Sequence, residues 1–281
     1  DPSIGVLTRV GQVHLEFFGT QEAILKEKSK LIKALPKGGF AVLNYDYKDV
    51  FSLCEKTQAK CITYGFDESA DLRAKNILIT RGQVAFTLEY GDKTMPIVLL
   101  HSIGKPQIYA ILSGIACGLA KDMGLDEIKE ALKNYRPPKG RGNLIKGIKN
   151  TIIIDDTYNA SPQSVEVALE NLKTLANKGR SIAVLGDMLE LGNITGDAHL
   201  EVGRKVREVG ADYLFTVGSR AKDVARGAKK AGMYKDKIYT FNTNQDLGKF
   251  LQEKLEEGDT ILVKGSRGMK MEEIVNEIKG T

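Results

Sequence analysis

The sequence predicts an α/β protein in two domains, and three observations support that prediction. Beyond residue 150, strand and helix patterns alternate regularly, which indicates a mostly parallel, Rossmann-like sheet covered on both faces. Residues 137–142, Pro-Pro-Lys-Gly-Arg-Gly, cannot continue a helix and mark a linker. Before the linker, a βα pattern gives way to closely spaced strands over 76–100. We therefore predict one domain over 1–139 and a second over 140–281.

The elements of the first domain follow from hydrophobic pattern and turn residues. Residues 4–8, Ile-Gly-Val-Leu-Thr, predict a short buried strand. Residues 21–35 carry apolar side chains at helical spacing in a lysine-rich background, and Pro36 ends that helix. The other predicted elements are strands at 40–43, 61–65, 76–80, 84–90 and 95–100, and helices at 107–123 and 125–135.

The second domain is predicted from its βα rhythm. Its strands are short apolar runs, typical of parallel strands that are buried on both faces. We predict strands at 151–155, 181–185, 213–217, 237–239 and 260–263, and helices at 162–176, at 197–209 and between the later strands.

Composition narrows the classes of function. Lys and Arg number 41 against 36 Asp and Glu, and the net charge of +5 suits acidic small-molecule substrates. The basic residues are dispersed and Trp is absent, so we expect no nucleic-acid binding. No run of about 18 apolar residues occurs, so we expect no membrane insertion. The three cysteines form no CxxC pair, which argues against a disulfide scaffold or a zinc ribbon and suits the cytoplasm.

Two candidate residues lie in the first domain. His14 follows the opening strand, and active sites in α/β sheets collect at the carboxyl ends of strands. The other interpretation is an ordinary loop histidine. Lys28 lies on the helix after it, where a lysine usually belongs to a solvated face.

Two more candidate clusters lie in the second domain. Residues 155–162, Asp-Asp-Thr-Tyr-Asn-Ala-Ser-Pro, connect a strand to a helix. Capping explains Ser161 and Pro162, whereas the acids could bind ribose hydroxyls beside a helix N-terminus. The glycine-containing stretches 185–192 and 264–268 leave neighbouring strands, and the basic side chains of the latter could bind a carboxylate or phosphate. No GxxxxGK[ST] phosphate loop occurs in the sequence.

Together these motifs resemble the Mur ligase family, the ATP-dependent amide ligases of peptidoglycan precursor synthesis. The stretches that carry the resemblance are 4–8, 14–19, 41–44, 63–65, 155–162, 185–192 and 264–269. Tyr158-Asn159-Ala160 favours the member that joins D-alanyl-D-alanine to UDP-N-acetylmuramoyl-tripeptide through an acyl phosphate. The resemblance implies a fragment that lacks the family's UDP-sugar-binding domain and phosphate loop. Residues 1–139 would then be the second half of the central ATP-binding (ATPase-like) domain and 140–281 the C-terminal ligase domain, and we predict that this fragment is inactive alone.

The resemblance also implies roles for individual residues. His14 and Lys28 match catalytic, magnesium-binding positions, with Lys28 carbamylated so that it becomes a carboxylate ligand for Mg²⁺. Asn44, Arg141 and Asp156 match positions near the adenine, the phosphates and the ribose of ATP. The residues predicted to bind substrate are Tyr158, Asn159, Ser161, Lys264, Ser266 and Arg267.

The expected partners are UDP-muramoyl-tripeptide and D-alanyl-D-alanine, and we expect a cytoplasmic monomer. Two alternatives remain open at this point. One is another amino-acid ligase of the same superfamily, of the folylpolyglutamate or cyanophycin synthetase kind. The other is a non-catalytic Rossmann-like nucleotide-binding or protein-interaction module. The glycine-containing turn after residues 213–217, which is followed by a helix, could be the binding site of such a module.

Overall fold

The structure, a computed structural model, describes residues 2–11, 15–80, 82–176 and 179–280. The described residues form two units, 2–11 with 18–136 and 15–17 with 137–280, and each unit contains a six-stranded sheet with helices. The α/β class predicted from the sequence is confirmed.

The first unit combines parallel and antiparallel strands in the order β1-β2-β3-β4-β5-β6. The strands are β1 Ile4–Leu7, β2 Phe40–Asn44, β3 Lys60–Gly65, β4 Leu72–Thr80, β5 Gln83–Tyr90 and β6 Lys93–Leu100. Strands β1 to β4 pair in parallel, whereas β4, β5 and β6 form an antiparallel meander. The meander accounts for the closely spaced strand patterns in this part of the sequence.

The helices of the first chain half begin and end at recognisable signals. They are α1 Leu15–Phe18, α2 Gln21–Lys33, α3 Lys48–Phe51, α4 Lys105–Leu119 and α5 Leu125–Leu132. Helix α2 starts where the Thr20 side chain accepts a hydrogen bond from the Ala23 amide at 3.2 Å, and it stops shortly before Pro36. Helix α4 packs its buried face, including Ile108 and Leu112, into the core of this unit.

The second unit has a parallel sheet with one antiparallel edge strand, in the order β11-β10-β9-β12-β8-β7. Its strands are β7 Asn143–Lys146, β8 Ile152–Asp156, β9 Ser181–Gly186, β10 Tyr213–Val217, β11 Ile238–Phe241 and β12 Thr260–Lys264. Its longer helices are α6 Pro162–Leu175, α7 Thr195–Val209, α8 Ala221–Lys230, α9 Asn244–Lys254 and α10 Glu272–Ile278. Strands β9, β10 and β12 are buried along their whole length, as parallel strands between two helix layers are expected to be.

The sequence analysis predicts neither β7 nor α10. Strand β7 is four residues long and pairs with β8 at the antiparallel edge of the sheet, so no alternation of useful length marks it. Helix α10 has seven residues and follows a 3₁₀ turn at Arg267–Met269. Tertiary packing of Ile274 and Ile278 against the sheet stabilises this helix.

The cysteines differ from expectation. Cys54, in a 3₁₀ turn, and Cys61, in β3, form a disulfide with their Cα atoms 5.8 Å apart, whereas Cys117 is free. The odd number of cysteines and the absence of a CxxC pair argue against a disulfide scaffold or a zinc ribbon, and they predict no pairing between these two residues. A seven-residue separation can still be bridged when a turn brings the chain back beside itself.

Across residues 2–11, 15–80, 82–176 and 179–280, no helix has the length and apolar character needed to cross a membrane.

Candidate active site

In the second unit, polar loops follow the carboxyl ends of three adjacent parallel strands. Strand β12 lies between β8 and β9, and Lys264, the last residue of β12, is in register with Asp156 on β8 and Leu185 on β9. Because the strands are parallel, the loops that follow them emerge side by side. The two clusters that the sequence analysis singled out in this domain therefore meet at a single edge.

Lys264 and Asp156 form an ion pair at this edge. The Lys264 Nζ lies 2.6 Å from Asp156 Oδ2 and also donates to the Asn159 carbonyl oxygen at 2.8 Å. The Lys264 side chain is only 3 % exposed, while that of Asp156 is 24 % exposed. A buried ammonium requires such partners. Lys264 therefore positions the Asp156–Asn159 turn, and the predicted contacts of these three residues with ATP or substrate remain predictions.

The two neighbouring acids of this turn have different environments. Asp155 is buried, and its Oδ1 accepts hydrogen bonds from the Thr157 hydroxyl at 2.6 Å and the Thr157 amide at 3.3 Å. This Asx-type turn uses Asp155 as an internal support. Asp156 is the acid with a solvent-facing portion.

Arg141 and Tyr158 stack beside the turn. The Arg141 guanidinium carbon lies 4.0 Å from the centre of the Tyr158 ring, and both residues are exposed. The Tyr158 amide donates to the Gly140 carbonyl at 3.0 Å. Gly140 has φ +73°, and a Cβ there would lie 3.0 Å from the Tyr158 nitrogen, so glycine suits this approach. The end of the linker is thus fixed to the exit of β8.

The loop after β9, here called the β9 exit loop and comprising residues 187–191, is tied to the end of β12. The Ser266 amide donates to the Asp187 carbonyl at 2.9 Å, and the Ser266 hydroxyl accepts from the Leu189 amide at 2.8 Å. The same hydroxyl lies 3.4 Å from the Ala160 carbonyl oxygen. Ser266 is buried, so its hydroxyl links two loops, and its predicted role in substrate binding remains untested.

The Asp187 side chain caps helix α8. Its Oδ1 accepts from the Ala221 amide at 2.7 Å and from the Arg220 amide at 3.1 Å. A carboxylate is favourable there because the first amides of a helix lack internal partners and carry positive partial charge. The β9 exit loop is therefore anchored on two sides.

His199 supports the same loop from α7, and the sequence analysis did not identify it. The residue is fully buried; its Nε2 lies 3.0 Å from the Met188 amide nitrogen and its Nδ1 lies 2.7 Å from the Thr195 carbonyl oxygen. Burial lowers the pKa of the His199 ring below its usual 6.5. The apolar spacing of Ala198, Val202 and Val206 was the available signal, because it places His199 on the inward face of the helix.

Ser161 and Arg267 complete the predicted substrate set. Ser161 is the N-cap residue of α6, and its amide donates to the Ser164 hydroxyl at 2.9 Å. Arg267 has an exposed side chain whose Nη1 lies 3.1 Å from Glu272 Oε1. Capping accounts for Ser161, whereas Arg267 presents a guanidinium to solvent beside the strand ends.

Asn44, which is buried, ends β2 in the first unit, beside the partly buried polar side chains of Asp46 and Tyr109. Its Oδ1 accepts from the Asp46 amide at 3.1 Å, while its buried Nδ2 has no hydrogen-bond partner among the described residues. Asp46 in turn accepts the Tyr109 hydroxyl at 2.8 Å and the Phe66 amide at 2.8 Å. Burial and the neighbouring Asp46 raise the pKa of Tyr109. This group ties together the ends of β2 and β3 and helix α4.

The predicted metal-binding pair is only partly described. His14 lies outside the described residues, and Lys28 is an exposed residue of α2. Within the described parts of the chain, no group of three or more His, Cys, Asp or Glu side chains could hold a metal ion. The described residues therefore do not by themselves fit a magnesium site, and the roles predicted for His14 and Lys28 remain predictions.

Comparison with known proteins adds independent information. Residues 1–118 match the Mur ligase middle domain, and residues 140–267 match the Mur ligase glutamate ligase domain. The UDP-N-acetylmuramoyl-tripeptide–D-alanyl-D-alanine ligase of Bacillus subtilis is 31% identical over 278 residues, covering 99% of this chain and 59% of the relative. This chain thus spans about three fifths of the length of that curated relative.

Two solved structures share the fold. MurF from Acinetobacter baumannii superposes with a TM-score of 0.86 at 25% identity, over 98% of this chain and 59% of that one. The MurF ligase of Thermotoga maritima, solved in complex with ADP, superposes with a TM-score of 0.84 at 25% identity. The match covers 98% of this chain and 61% of that one. With two family domains matched in order, and with relatives and structures of one family aligned along nearly its whole length, this chain belongs to the Mur ligase family.

Proposed function

We propose that this chain is the part of a UDP-N-acetylmuramoyl-tripeptide–D-alanyl-D-alanine ligase that closes over ATP and binds the dipeptide. The observation that carries the proposal is the meeting of the β8, β9 and β12 exits at one edge, around the Lys264–Asp156 pair. The relatives with that activity support the same assignment. On this proposal, the domain boundary predicted at residues 139–140 separates part of the ATP-binding domain from the ligase domain.

The proposed reaction has two steps. A carboxylate oxygen of the tripeptide attacks the γ-phosphorus of ATP, the bond to the β,γ-bridging oxygen breaks, and ADP leaves. The dipeptide amine then attacks the carbonyl carbon of the acyl phosphate, inorganic phosphate leaves with the bonding pair, and the new amide loses a proton to solvent. Such chemistry depends on positioning and on neutralising the charge of the phosphoryl group.

The residues of this chain supply positioning and charge. Arg141, held by its stack on Tyr158, would neutralise charge on the ATP phosphates, and Asp156 would accept a ribose hydroxyl. In the other unit, the Nδ2 of Asn44 has no hydrogen-bond partner among the residues that the structure describes, and an acceptor nitrogen of the adenine would satisfy it. Arg267 would bind the dipeptide carboxylate in place of Glu272.

His14 and carbamylated Lys28 would hold magnesium, and the bound cation would neutralise charge on phosphate and carboxylate oxygens. Carbamylation requires the neutral amine, which burial favours, whereas Lys28 is exposed on α2 in this structure. A cytoplasmic location, a monomeric state and UDP-muramoyl-tripeptide as acyl donor are the further parts of this proposal.

Calorimetry on this chain tests the proposal. We expect D-alanyl-D-alanine to bind without ATP, and L-alanyl-L-alanine to bind at least tenfold more weakly. A preference for glutamate over the dipeptide would instead favour a folylpolyglutamate or cyanophycin synthetase type of ligase. Binding of neither amino substrate would contradict the proposal and favour a non-catalytic module.

A further inference from the structure

The hydrogen bonds of His199 allow only one state of its ring. The Met188 amide can only donate, so Nε2, 3.0 Å away, must carry a lone pair. The Thr195 carbonyl can only accept, so Nδ1, 2.7 Å away, must carry the proton. The neutral Nδ1–H tautomer satisfies both contacts. A doubly protonated ring would place an N–H against the Met188 N–H.

The contact from His199 reaches the centre of the β9 exit loop. Asp187 and Leu189, on either side of Met188, are bonded to the amide and hydroxyl of Ser266 respectively. The backbone groups of residues 187, 188 and 189 therefore each make one of these hydrogen bonds. Ser266 of the β12 exit makes two of them, and His199 of α7 makes the third. His199 is the one imidazole in this set, and burial holds its pKa below the usual 6.5.

The charged groups around His199 come from several elements. Asp187, at the β9 exit, and Asp223, on α8, favour the protonated ring, whereas Arg220, at the start of α8, disfavours it. Burial outweighs these charges.

We propose that His199 is a positioning residue that, through its neutral Nδ1–H tautomer, fixes the β9 exit loop in the conformation needed for ligand binding at the neighbouring strand ends. In taking those strand ends as the dipeptide site, this inference rests on the proposed function. The hydrogen bond to Met188 does not depend on it.

Two substitutions of His199 distinguish the effect of its hydrogen bond to Met188 from the effect of filling space in the core. In His199→Gln, the amide oxygen can take the place of Nε2 and accept from Met188, but the side chain does not titrate. In His199→Asn, the shorter amide can reach Thr195 but not Met188. His101, an exposed residue of the first unit with φ +58°, supplies the control His101→Asn, because asparagine tolerates that conformation.

The experiment combines NMR, hydrogen exchange and calorimetry on the full 281-residue chain. At pH 8 we expect a proton on Nδ1 of His199 in the wild type, and a Met188 protection factor that His199→Asn lowers about tenfold or more. The Gln variant and His101→Asn should retain that protection. Lowering the pH should reduce Met188 protection in the wild type but not in His199→Gln, and D-alanyl-D-alanine should bind His199→Asn more weakly than His199→Gln.

The proposal is overturned by a proton on Nε2 at pH 8, which is measured on the wild type and needs no variant. It is equally overturned if His199→Asn keeps both the Met188 protection and the dipeptide affinity of the wild type. If the wild type binds no dipeptide, the proposed function fails, and Met188 protection alone then decides whether His199 fixes the loop.

Discussion

The ammonium of Lys264 and the carboxylate of Asp156 lie 2.6 Å apart at the ends of neighbouring strands β12 and β8, with Lys264 almost completely buried. The pair joins two segments that are 108 residues apart in the chain. Its second acceptor, the Asn159 carbonyl, belongs to the same turn as Asp156. The geometry of this turn therefore depends on one buried cation.

Removing one partner of this pair should cost more stability than removing both. We expect Lys264→Met to lower the free energy of unfolding by about 3 kcal/mol, because it leaves the Asp156 charge partly buried and unpaired. Asp156→Asn should also destabilise, since the buried ammonium loses its counter-charge. The double variant should be more stable than the sum of the single effects predicts, as measured by urea unfolding. Strict additivity would contradict a direct coupling.

Arg267 should contribute to dipeptide binding. We expect Arg267→Ala to weaken D-alanyl-D-alanine binding about tenfold, the loss of one charge-assisted hydrogen bond, as measured by calorimetry. Arg226→Ala is the matched control, because Arg226 is also exposed and also pairs with one acid, Asp223, at 2.9 Å. Equal effects of the two substitutions would show that general charge, and not a contact at the strand ends, is responsible.

The buried His199 should make stability depend on pH. Its pKa is lower in the folded chain than the ordinary 6.5, so below that pH the unfolded chain binds more protons than the folded chain. The free energy of unfolding should therefore fall as the pH falls below about 6.5, by at most about 1.4 kcal/mol for each pH unit, until the folded-state pKa is reached. His199→Gln should remove this component of the slope between pH 7 and 5. An unchanged slope in His199→Gln would contradict the prediction.

Helices α7 and α8 should not tolerate a side chain at Gly203. A Cβ there would overlap the Val224 carbonyl oxygen and lie 2.7 Å from the Ala228 nitrogen. We expect Gly203→Ala to cost at least about 3 kcal/mol, because two rigid backbones must separate. Gly196 lies on the same helix with open space around it, so Gly196→Ala should stabilise by roughly 0.5 kcal/mol. Thermal unfolding of the two variants compares them directly.

Substitutions at the amino-terminal ends of β9 and β12 should change stability without changing ligand binding at the carboxyl-terminal ends. Arg180 donates from Nε and Nη2 to the two oxygens of Asp259, at 2.9 and 2.7 Å, and Asp259 is 1 % exposed. We expect Arg180→Ala to cost about 3 kcal/mol, since it leaves a buried carboxylate without its cation. Arg180→Lys should destabilise the fold less than Arg180→Ala does, because an ammonium keeps the charge but cannot reproduce the bidentate contact with Asp259. A change in the dipeptide affinity of folded Arg180→Lys would contradict the expectation that the two ends of these strands act independently.

Sequence reasoning succeeded where local pattern decides structure. The strands β2, β5, β6 and β10 and helices α2 and α6 lie where apolar spacing and turn residues predict them. It failed at β7 and α10, which are short: β7 is recognisable only from its pairing with the nearby β8, and α10 packs against strands that are distant in the chain. The Cys54–Cys61 bond was missed for a similar reason, since no motif marks a pair that meets across a turn.

The candidate site shows the same division. Polar residues crowded after a buried strand identified the region of Asp156, Tyr158 and Lys264, and resemblance assigned them roles. The sequence could not show that the Lys264 charge is already neutralised by Asp156, or that Ser266 is buried between two loops. His199 was missed because a histidine on an apolar helix face has the same local pattern whether it fills space or supports a loop.

The order of strands and helices, the family and the motifs at the strand ends were determined by the sequence itself, since they follow from periodicity, turn chemistry and short stretches of neighbouring residues. Which polar groups meet, which are buried and which tautomer His199 adopts were decided by the tertiary structure alone. The physical reason is that burial and hydrogen bonding depend on strand order, which brings β8, β9 and β12 together from positions up to 108 residues apart.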